Sequence, residues 1–319
     1  MKYLIITDHP RNDIRVNKSQ KYLDNVTLQI PRLMAKFNWF PGYCYIVYLL
    51  TFFYKFDRIY THDLWTSYAG IKRNKYTICD LHENYFDCFI HNTYKLKFMK
   101  WFFRQSRINK LLRIVIKKAD RLVVSSRLSI EVYATNLYYD NVQTPSEIPK
   151  IYTGIPIVVF IGRNRFLEKI EWYKIKHRFI LVVMSNNTPQ LSVPDNITVE
   201  YTGSNSTDNE INQYWLKRAL IGLLPNLKSY HTYTCSPNKL FTYMDYECCV
   251  LYHSWMGNVD EIVCKYNCGL ATANIADGLI YLLDNIVLTQ ELAKNGRKAV
   301  LKSYNEETII KSLFDEINN

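Results

Sequence analysis

Short apolar runs alternate with longer stretches of helical spacing along the whole chain. Most of these runs are rich in β-branched residues and show little apolar–polar alternation, which is typical of strands covered on both faces in a parallel sheet. The pattern predicts strands at residues 3–7, 58–61, 76–81, 121–125, 156–161, 179–184, 197–201, 220–224, 249–253 and 268–271. It predicts helices at residues 14–24, 64–73, 94–118, 126–137, 207–218, 238–247 and 287–303. Repeated strand-then-helix units indicate the α/β class.

The series is interrupted between residues 140 and 156, where proline, glycine, asparagine and threonine cluster as in a linker. We therefore predict two Rossmann-like parallel-sheet domains that face a cleft, one over residues 1–150 and one over 151–303. Residues 304–319 are predicted to form a helix that packs back on the N-terminal domain. Because ligands of such sheets bind beyond the carboxyl ends of the strands, the cleft is the expected site.

The excess of positive over negative charge is confined to the first half of the chain. Residues 1–150 carry 24 Lys and Arg against 12 Asp and Glu, whereas the whole chain has a net charge of +11. Residues 94–118 alone hold nine of these cations, no acidic residue, and several interleaved aromatic side chains. This segment is interpreted as contacting an anionic membrane surface or as a solvated basic face. No nucleic-acid partner is expected, because no DNA- or RNA-binding motif accompanies the charge.

Residues 43–54 form an apolar-rich stretch that is too short to span a bilayer, so they predict a buried or interfacial helix. The eight cysteines include no CxxC pair, which favours reduced thiols over a zinc site. The N-terminus reaches charged residues too soon for a signal peptide. We expect a cytoplasmic protein that associates peripherally with a membrane surface.

The chain lacks GxGxxG, Walker A, GxSxG and HExxH motifs, so its candidate chemistry lies at strand ends. In the first half, polar residues follow three predicted strands: His9, Asp13 and Arg15 after the first, His62 after the second, and His82 after the third. Asp13 is also a plausible helix cap, and a lone histidine is often structural. His82 could donate a hydrogen bond to a hydroxylated substrate or transfer a proton.

In the second half, a basic turn and a helix start could together bind phosphate. Gly162 permits a tight exit from the strand before Arg163, Arg165 and Lys169, whose charges could neutralise a diphosphate. A solvated basic turn is the alternative. Ser236 is a plausible N-cap and Pro237 a suitable first helical residue, so the amide groups that follow, with Lys239, would form an anion site.

With these residues in view, the chain resembles retaining glycosyltransferases of the two-Rossmann GT-B type, specifically family 4. The resemblance covers almost the whole chain at low similarity and depends on the order and strand-end placement of several short motifs. These are DIRV at 13–16, DLHE at 80–83, GR…K at 162–169, SPNKLFTYM at 236–244, DEIV at 260–263 and NCGL at 267–270.

The resemblance implies roles for several of these residues. Arg163 and Lys169 would hold the donor diphosphate, and His82 would approach the donor sugar. Further donor-binding residues would be Gly162, Arg165, Ser236, Asn238, Lys239, Leu240 and Thr242. His9, Asp13, Arg15 and His62 would lie near the acceptor, which would be a glycan, a lipid-linked glycan or a glycoprotein. The donor would be a nucleotide sugar such as a UDP-sugar or GDP-sugar, with no metal and no further cofactor.

The chain departs from the family pattern at two positions. Thr234 and Thr242 stand where the family usually has two glutamates, which contact the sugar and the nucleotide ribose. Threonine can donate and accept hydrogen bonds but carries no charge. The departure motivates an alternative hypothesis, a non-catalytic nucleotide- or partner-binding module of the same fold. An epimerase acting on a nucleotide sugar is a weaker third hypothesis.

Overall fold

The computed structural model describes residues 1–9, 13–30, 41–81, 105–133, 135, 137–140, 145–146, 150–162, 164–186, 191–207 and 209–318. The chain divides into two compact units. Unit 1 comprises Met1–Asn141 together with Glu307–Asn319, and unit 2 comprises Val142–Glu306. The N-terminal domain was predicted to end near residue 150, eight or nine residues beyond this division.

Unit 1 is built on a parallel six-stranded sheet in the order β2-β1-β3-β4-β5-β6. Its strands are β1 (Tyr3–Thr7), β2 (Asn25–Gln29), β3 (Arg58–His62), β4 (Tyr76–Leu81), β5 (Arg121–Val124) and β6 (Leu137–Tyr138). The described helices between them are α1 (Ile14–Tyr22), α2 (Pro41–Leu50), α3 (Asp63–Ile71), α4 (Gln105–Lys118) and α5 (Leu128–Tyr133). A 3-10 turn, Thr51–Phe53, extends α2. α3 packs against both α2 and α4, so these three helices cover one face of the sheet.

Unit 2 repeats the architecture with a parallel sheet in the order β12-β11-β10-β7-β8-β9. Its strands are β7 (Ile157–Ile161), β8 (Phe179–Met184), β9 (Ile197–Tyr201), β10 (Ile221–Leu224), β11 (Cys249–His253) and β12 (Gly269–Thr272). Its helices are α6 (Glu210–Leu216), α7 (Tyr230–Thr234), α8 (Asn238–Asp245), α9 (Gly257–Tyr266), α10 (Ile275–Asp284) and α11 (Ile286–Ser303). Buried Val, Ile, Leu and Phe side chains of β7, β8 and β10 form the centre of its core.

The last helix, α12 (Glu306–Asn318), belongs to the core of unit 1. Ile310, Leu313 and Phe314 are buried in the same cluster as Tyr3 of β1. The hydroxyl of Tyr3 donates a hydrogen bond to the Asn318 side chain at 2.9 Å. The helix therefore fills a face of the first sheet after the chain has completed the second.

The side chain of Lys150 connects the first segment of unit 2 to later segments of the same unit. Its ammonium group donates to the carbonyl of Tyr246 at 2.7 Å and also to the carbonyl of Ala219. Burial lowers the pKa of Lys150. Nearby, the Asp245 carboxylate accepts from the backbone N–H of Ser146 and pairs with Arg297. The described parts of the predicted linker are thus tied to unit 2.

Two parallel-sheet units of the α/β class confirm the predicted fold class. Local predictions failed at both edges of the first sheet. β2 was not predicted, because it is an edge strand whose residues are mostly half-buried and lack a continuous apolar run. The helix predicted over 126–137 ends at Tyr133, and Leu137–Tyr138 pair instead with β5.

Within the described residues, no helix is both long enough and apolar enough to span a membrane. None of the cysteines in the described part of the chain forms a disulfide.

Candidate functional site

A tyrosine locks helix α8 onto the sheet of unit 2. The ring of Tyr243 lies on Gly222 of β10, where an added Cβ would come within 2.3 Å of the ring. Its hydroxyl accepts from the N–H of Ile161 at 2.9 Å and donates to the carbonyl of Leu223 at 3.2 Å. Of the β10 residues, only Ile221 and Gly222 pair with β7. The Tyr243 hydroxyl therefore bonds to backbone groups of Ile161 and Leu223 that lie beyond the paired residues. The start of α8 is thereby held at the carboxyl ends of these strands.

Lys239, in the first turn of α8, reaches the turn that leaves β7. Its ammonium group donates to the carbonyl of Ile161 at 3.3 Å and lies 5.1 Å from the ring centre of Phe160. Gly162 has a φ of +136°, a conformation that only glycine adopts readily, and a Cβ there would lie 3.5 Å from the Lys239 ammonium. Burial lowers the pKa of Lys239 to about 8. A partly buried cation therefore faces a tight strand exit, where a bound anion would stabilise its charge.

The beginning of α8 differs by one position from the prediction. The helix begins at Asn238 and Pro237 is its N-cap, so the expectation of Ser236 as N-cap and Pro237 as first helical residue was wrong. Proline offers no side-chain acceptor, and the first turn receives no cap from it. Ser236 and Leu240 are buried, and Asn238 is exposed. The N–H groups of this turn carry the positive end of the helix dipole.

The two threonines that replace family glutamates are buried and bond to their own helices. Thr242 donates to the carbonyl of Asn238, and Thr234 to that of His231, both at 3.3 Å. Such bonds to a carbonyl one turn back are the usual choice of a helical threonine. Each oxygen keeps its acceptor capacity, but neither position supplies a carboxylate.

The remaining cations of the predicted donor site are only partly described. Lys169 is exposed at the end of a 3-10 helix, Asn164–Lys169, that follows the Gly162 turn. Arg163 and His82 lie outside the described residues, as does the side chain of Arg165. Among the predicted donor residues, the described geometry brings Gly162 and Lys239 together.

In unit 1, a buried carboxylate brings together two of the four predicted acceptor-side residues, Arg15 and His62. Asp80 of β4 accepts hydrogen bonds from the hydroxyls of Tyr60 at 2.9 Å and Tyr139 at 3.1 Å. The guanidinium of Arg15 lies 3.0 Å from the other oxygen of Asp80 and 4.1 Å from the ring centre of Tyr139. All four side chains are buried. Arg15 thus supports the carboxyl edge of the sheet from inside the unit.

His62 belongs to the same buried network. Its Nε2 lies 2.9 Å from the Ser19 hydroxyl, and its Nδ1 lies 3.6 Å from Asp80. The side chain has no exposed area, so in this conformation it orders β3 and α1 instead of facing solvent.

His9 lies at the carboxyl edge of the same sheet, between two carboxylates. Its Nδ1 is 3.2 Å from Asp13, and its Nε2 contacts Asp63. Asp13 also caps α1 by accepting from the N–H of Arg15 at 2.9 Å. Asp63 has a φ of +68°, which aspartate tolerates better than most residues. Burial alone would lower the pKa of His9, but its hydrogen bonds to Asp13 and Asp63 raise that pKa to about 11.

We expect the His9 ring to stay protonated throughout the neutral range. A raised pKa means that the ion pairs stabilise the fold fully below about pH 6.5 and that this stability is lost as the pH rises through about 11. Histidine ring NMR signals recorded against pH, with a chelator present, would measure the titration. In Asp63→Asn the His9 pKa should fall by more than one unit. A parent His9 that titrates near 6.5 would contradict the ion-pair assignment.

The same edge also brings metal-ligand atoms together. Asp8, His9 and Asp63 place one such atom each within 4.8 Å of one another. Both ring nitrogens of His9 already face carboxylates, so a metal ion would have to replace a proton. The arrangement is that of an imidazolium between carboxylates.

Sequence reasoning missed the residues that hold both sites together. Asp80 stands in the DLHE stretch at 80–83, and a charged residue inside the apolar run of β4 was a usable signal for it. Asp63 directly follows His62, which marks the same strand end. Tyr139, Tyr243 and Gly222 had no such signal, because their partners lie far away in sequence.

Three solved structures illustrate what this chain is similar to. A sucrose-phosphate synthase from Thermosynechococcus elongatus has a TM-score of 0.72 at 14% identity, over 99% of this chain and 98% of that one. WaaG, a glycosyltransferase involved in lipopolysaccharide biosynthesis, has a TM-score of 0.65 at 11% identity, over 99% and 100%. Anabaena HepE, in complex with UDP and glucose, has a TM-score of 0.62 at 11% identity, over 100% and 99%.

The sequence matches no protein-family model and no curated protein. The structural likeness spans both units and shows that the chain has the GT-B fold.

Proposed function

We propose that the chain is a retaining glycosyltransferase that moves a sugar from a nucleotide-sugar donor to a hydroxyl group of a glycan, glycolipid or glycoprotein. The observation that carries the proposal is the partly buried Lys239 ammonium at the Gly162 turn, beside the start of α8. Within the described residues its hydrogen-bond partner is one carbonyl at 3.3 Å, which compensates only weakly for the partial desolvation of the charge, so a bound anion would stabilise it. The diphosphate of a nucleotide sugar is such an anion.

The proposed chemistry needs positive charge where the leaving group departs. The acceptor oxygen forms a bond to the anomeric carbon while the bond from that carbon to the diphosphate oxygen breaks, and the acceptor proton passes to the departing phosphate. Lys239 and the N–H groups at the start of α8 would stabilise the charge that grows on the diphosphate. Arg163 and Lys169 follow the same turn and are proposed to act with them. These groups would take the place of a metal ion.

The structural neighbours support this chemistry by analogy. WaaG is a glycosyltransferase, and HepE was crystallised with UDP and with UDP-glucose. We propose a UDP-sugar or GDP-sugar as the donor and His82 as the residue that positions the sugar. His9 and Asp13, at the partly exposed edge of unit 1, are proposed to face the acceptor.

The basic segment 94–118 is proposed to bring the protein to an anionic membrane surface. The described part of this segment, in α4, exposes Lys110, Arg113, Lys117 and Lys118. These side chains line one groove together with Asn109 and Ile114. Closely spaced cations on one helix face attract anionic headgroups, each contributing about 1 kcal/mol. A lipid-linked acceptor would suit such a location.

A calorimetric screen of UDP- and GDP-sugars, followed by an assay for release of free sugar, tests the proposal. We expect one donor to bind and to be hydrolysed slowly without acceptor. Release should fall about a hundredfold or more in the double variant Arg163→Ala and Lys169→Ala. A chain that binds no nucleotide would contradict the proposal. Tight nucleotide binding without turnover of any donor would favour the non-catalytic module instead.

A further inference from the structure

Helix α2 and the 3-10 turn after it present an apolar surface to solvent. We define the apolar stripe as Tyr45, Ile46, Leu49, Phe52 and Phe53, whose exposed fractions are 68%, 44%, 51%, 55% and 84%. Their spacing along the chain places them on one helical face. The opposite face of α2 is also apolar, since Tyr43 and Val47 are buried in the core of unit 1. A helix that is apolar all round and yet half exposed normally has a partner.

Cations surround the end of this stripe. The Arg73 guanidinium lies 3.8 Å from the ring centre of Phe52, and Lys55, Lys72 and Lys75 are exposed in the adjoining segments. Each of the helices α2, α3 and α4 connects two parallel strands and therefore runs antiparallel to them. Their carboxyl ends thus lie at the edge of the sheet where the strands begin, opposite the edge that carries His9 and Asp13. The exposed Lys117 and Lys118 at the end of α4 therefore add charge to this edge.

Two carboxylates near the same edge are outnumbered by these cations. Asp57 accepts from the N–H of Lys2 at 2.8 Å, and Asp120 accepts from the N–H of Thr77 at 2.7 Å. Both acids keep their negative charge, but the two of them face the six lysine and arginine residues named above. These groups together leave a net positive charge around the exposed aromatic rings.

We propose that the apolar stripe inserts into the interfacial region of a bilayer that contains anionic lipids, with Lys55, Lys72, Arg73 and Lys75 contacting the headgroups. The combination of Phe and Leu on one side and Lys and Arg beside them is that of an element lying in the plane of a membrane surface. A second copy of the chain fits less well. A two-fold interface centred on the stripe would place this cationic rim against itself.

The inference deepens the membrane part of the proposed function and is independent of the transfer reaction. It also assigns a second kind of contact, since the basic segment 94–118, whose Lys117 and Lys118 lie at the same edge, would attract anionic lipid by charge alone. Insertion of apolar side chains is the feature that distinguishes the two kinds of contact. Nucleotide-sugar binding measured without vesicles tests the transferase proposal separately.

Vesicle flotation of the full chain tests the inference, with phosphatidylcholine alone compared against phosphatidylcholine containing about one-third phosphatidylserine. The parent should bind the anionic vesicles and largely ignore the neutral ones. The double variant Phe52→Ser and Phe53→Ser should weaken binding to anionic vesicles roughly tenfold or more. Lys72→Glu with Lys75→Glu should lose most of the preference for anionic lipid.

Matched controls come from exposed residues of α11 in unit 2. Val287→Ser with Leu301→Ser removes comparably exposed apolar side chains, and Lys298→Glu with Lys302→Glu reverses comparably exposed charges. Both controls should bind vesicles like the parent. All variants should keep the parent melting temperature, since only exposed side chains change.

A tryptophan at position 53 reports insertion directly. In Phe53→Trp, brominated phospholipid should quench fluorescence more strongly than in the parent chain. Three results would overturn the inference: no binding of the parent to anionic vesicles, parent-like binding by the Phe52→Ser and Phe53→Ser variant, or a dimer in solution that this variant converts to monomers. The second result would leave charge attraction through 94–118 as the route to the membrane.

Discussion

Replacing Asp80 with alanine is expected to lower the free energy of unfolding by about 3–5 kcal/mol. Asp80 is fully buried and pairs with the guanidinium of Arg15, which is itself almost without exposed area. Its removal leaves a buried positive charge without its partner and takes an acceptor from Tyr60 and Tyr139. A stranded charge costs far more than the loss of an exposed ion pair.

Chemical denaturation followed by circular dichroism would measure this effect. Asp315→Ala, at an exposed position of α12, is the matched control and should change stability by less than about 0.5 kcal/mol. A second variant, Asp80→Ala with Arg15→Met, removes the stranded charge and should recover a substantial part of the loss. An Asp80→Ala protein as stable as the control would refute the account of this network.

Replacing Lys239 with methionine should weaken nucleoside diphosphate binding by about tenfold to a hundredfold and slow transfer by about 10²–10³. Methionine keeps much of the buried stem volume but removes the charge. Since burial brings the pKa of Lys239 to about 8, the parent should also lose affinity as the pH rises through that value. Bound diphosphate favours the charged form, so binding near pH 8 should take up a proton.

Calorimetry with UDP and GDP across pH 7–9 would test this, using buffers of different ionisation enthalpy to count protons. Lys298→Met, at an exposed site of α11, should behave like the parent. The pH dependence is the decisive readout, because a purely structural lysine would leave it unchanged. Affinity in Lys239→Met that equals the parent, with the same pH profile, would remove Lys239 from the donor site.

The strands of both sheets were predictable because a parallel sheet buries both faces of its central strands. Short continuous apolar runs such as those of β7 and β8 are typical of strands that are buried on both faces of a parallel sheet. The edges of the first sheet escaped prediction for the same reason. β2 is half exposed, and its residues Asn25 and Thr27 break the apolar run.

The candidate sites were predictable only as far as strand ends mark them. His9, Asp13 and Gly162 follow strands directly, and the carboxyl ends of parallel strands share one edge. The residues that fix the geometry come from elsewhere. Tyr243 meets Gly222 across 21 positions of sequence, and Tyr139 meets Arg15 across 124. Such pairs depend on three-dimensional packing that no local pattern encodes.

The return of α12 to the first sheet affects the order in which the chain acquires structure during synthesis. Tyr3 is made before unit 2, but the side chains that cover it from Ile310 onward are made after unit 2. Unit 2 can therefore complete its core while unit 1 still exposes an apolar face. Domains that are made first usually fold first. Here unit 1 cannot complete its core until α12 is made, so its apolar face is exposed to chaperones and to aggregation for longer than that of unit 2.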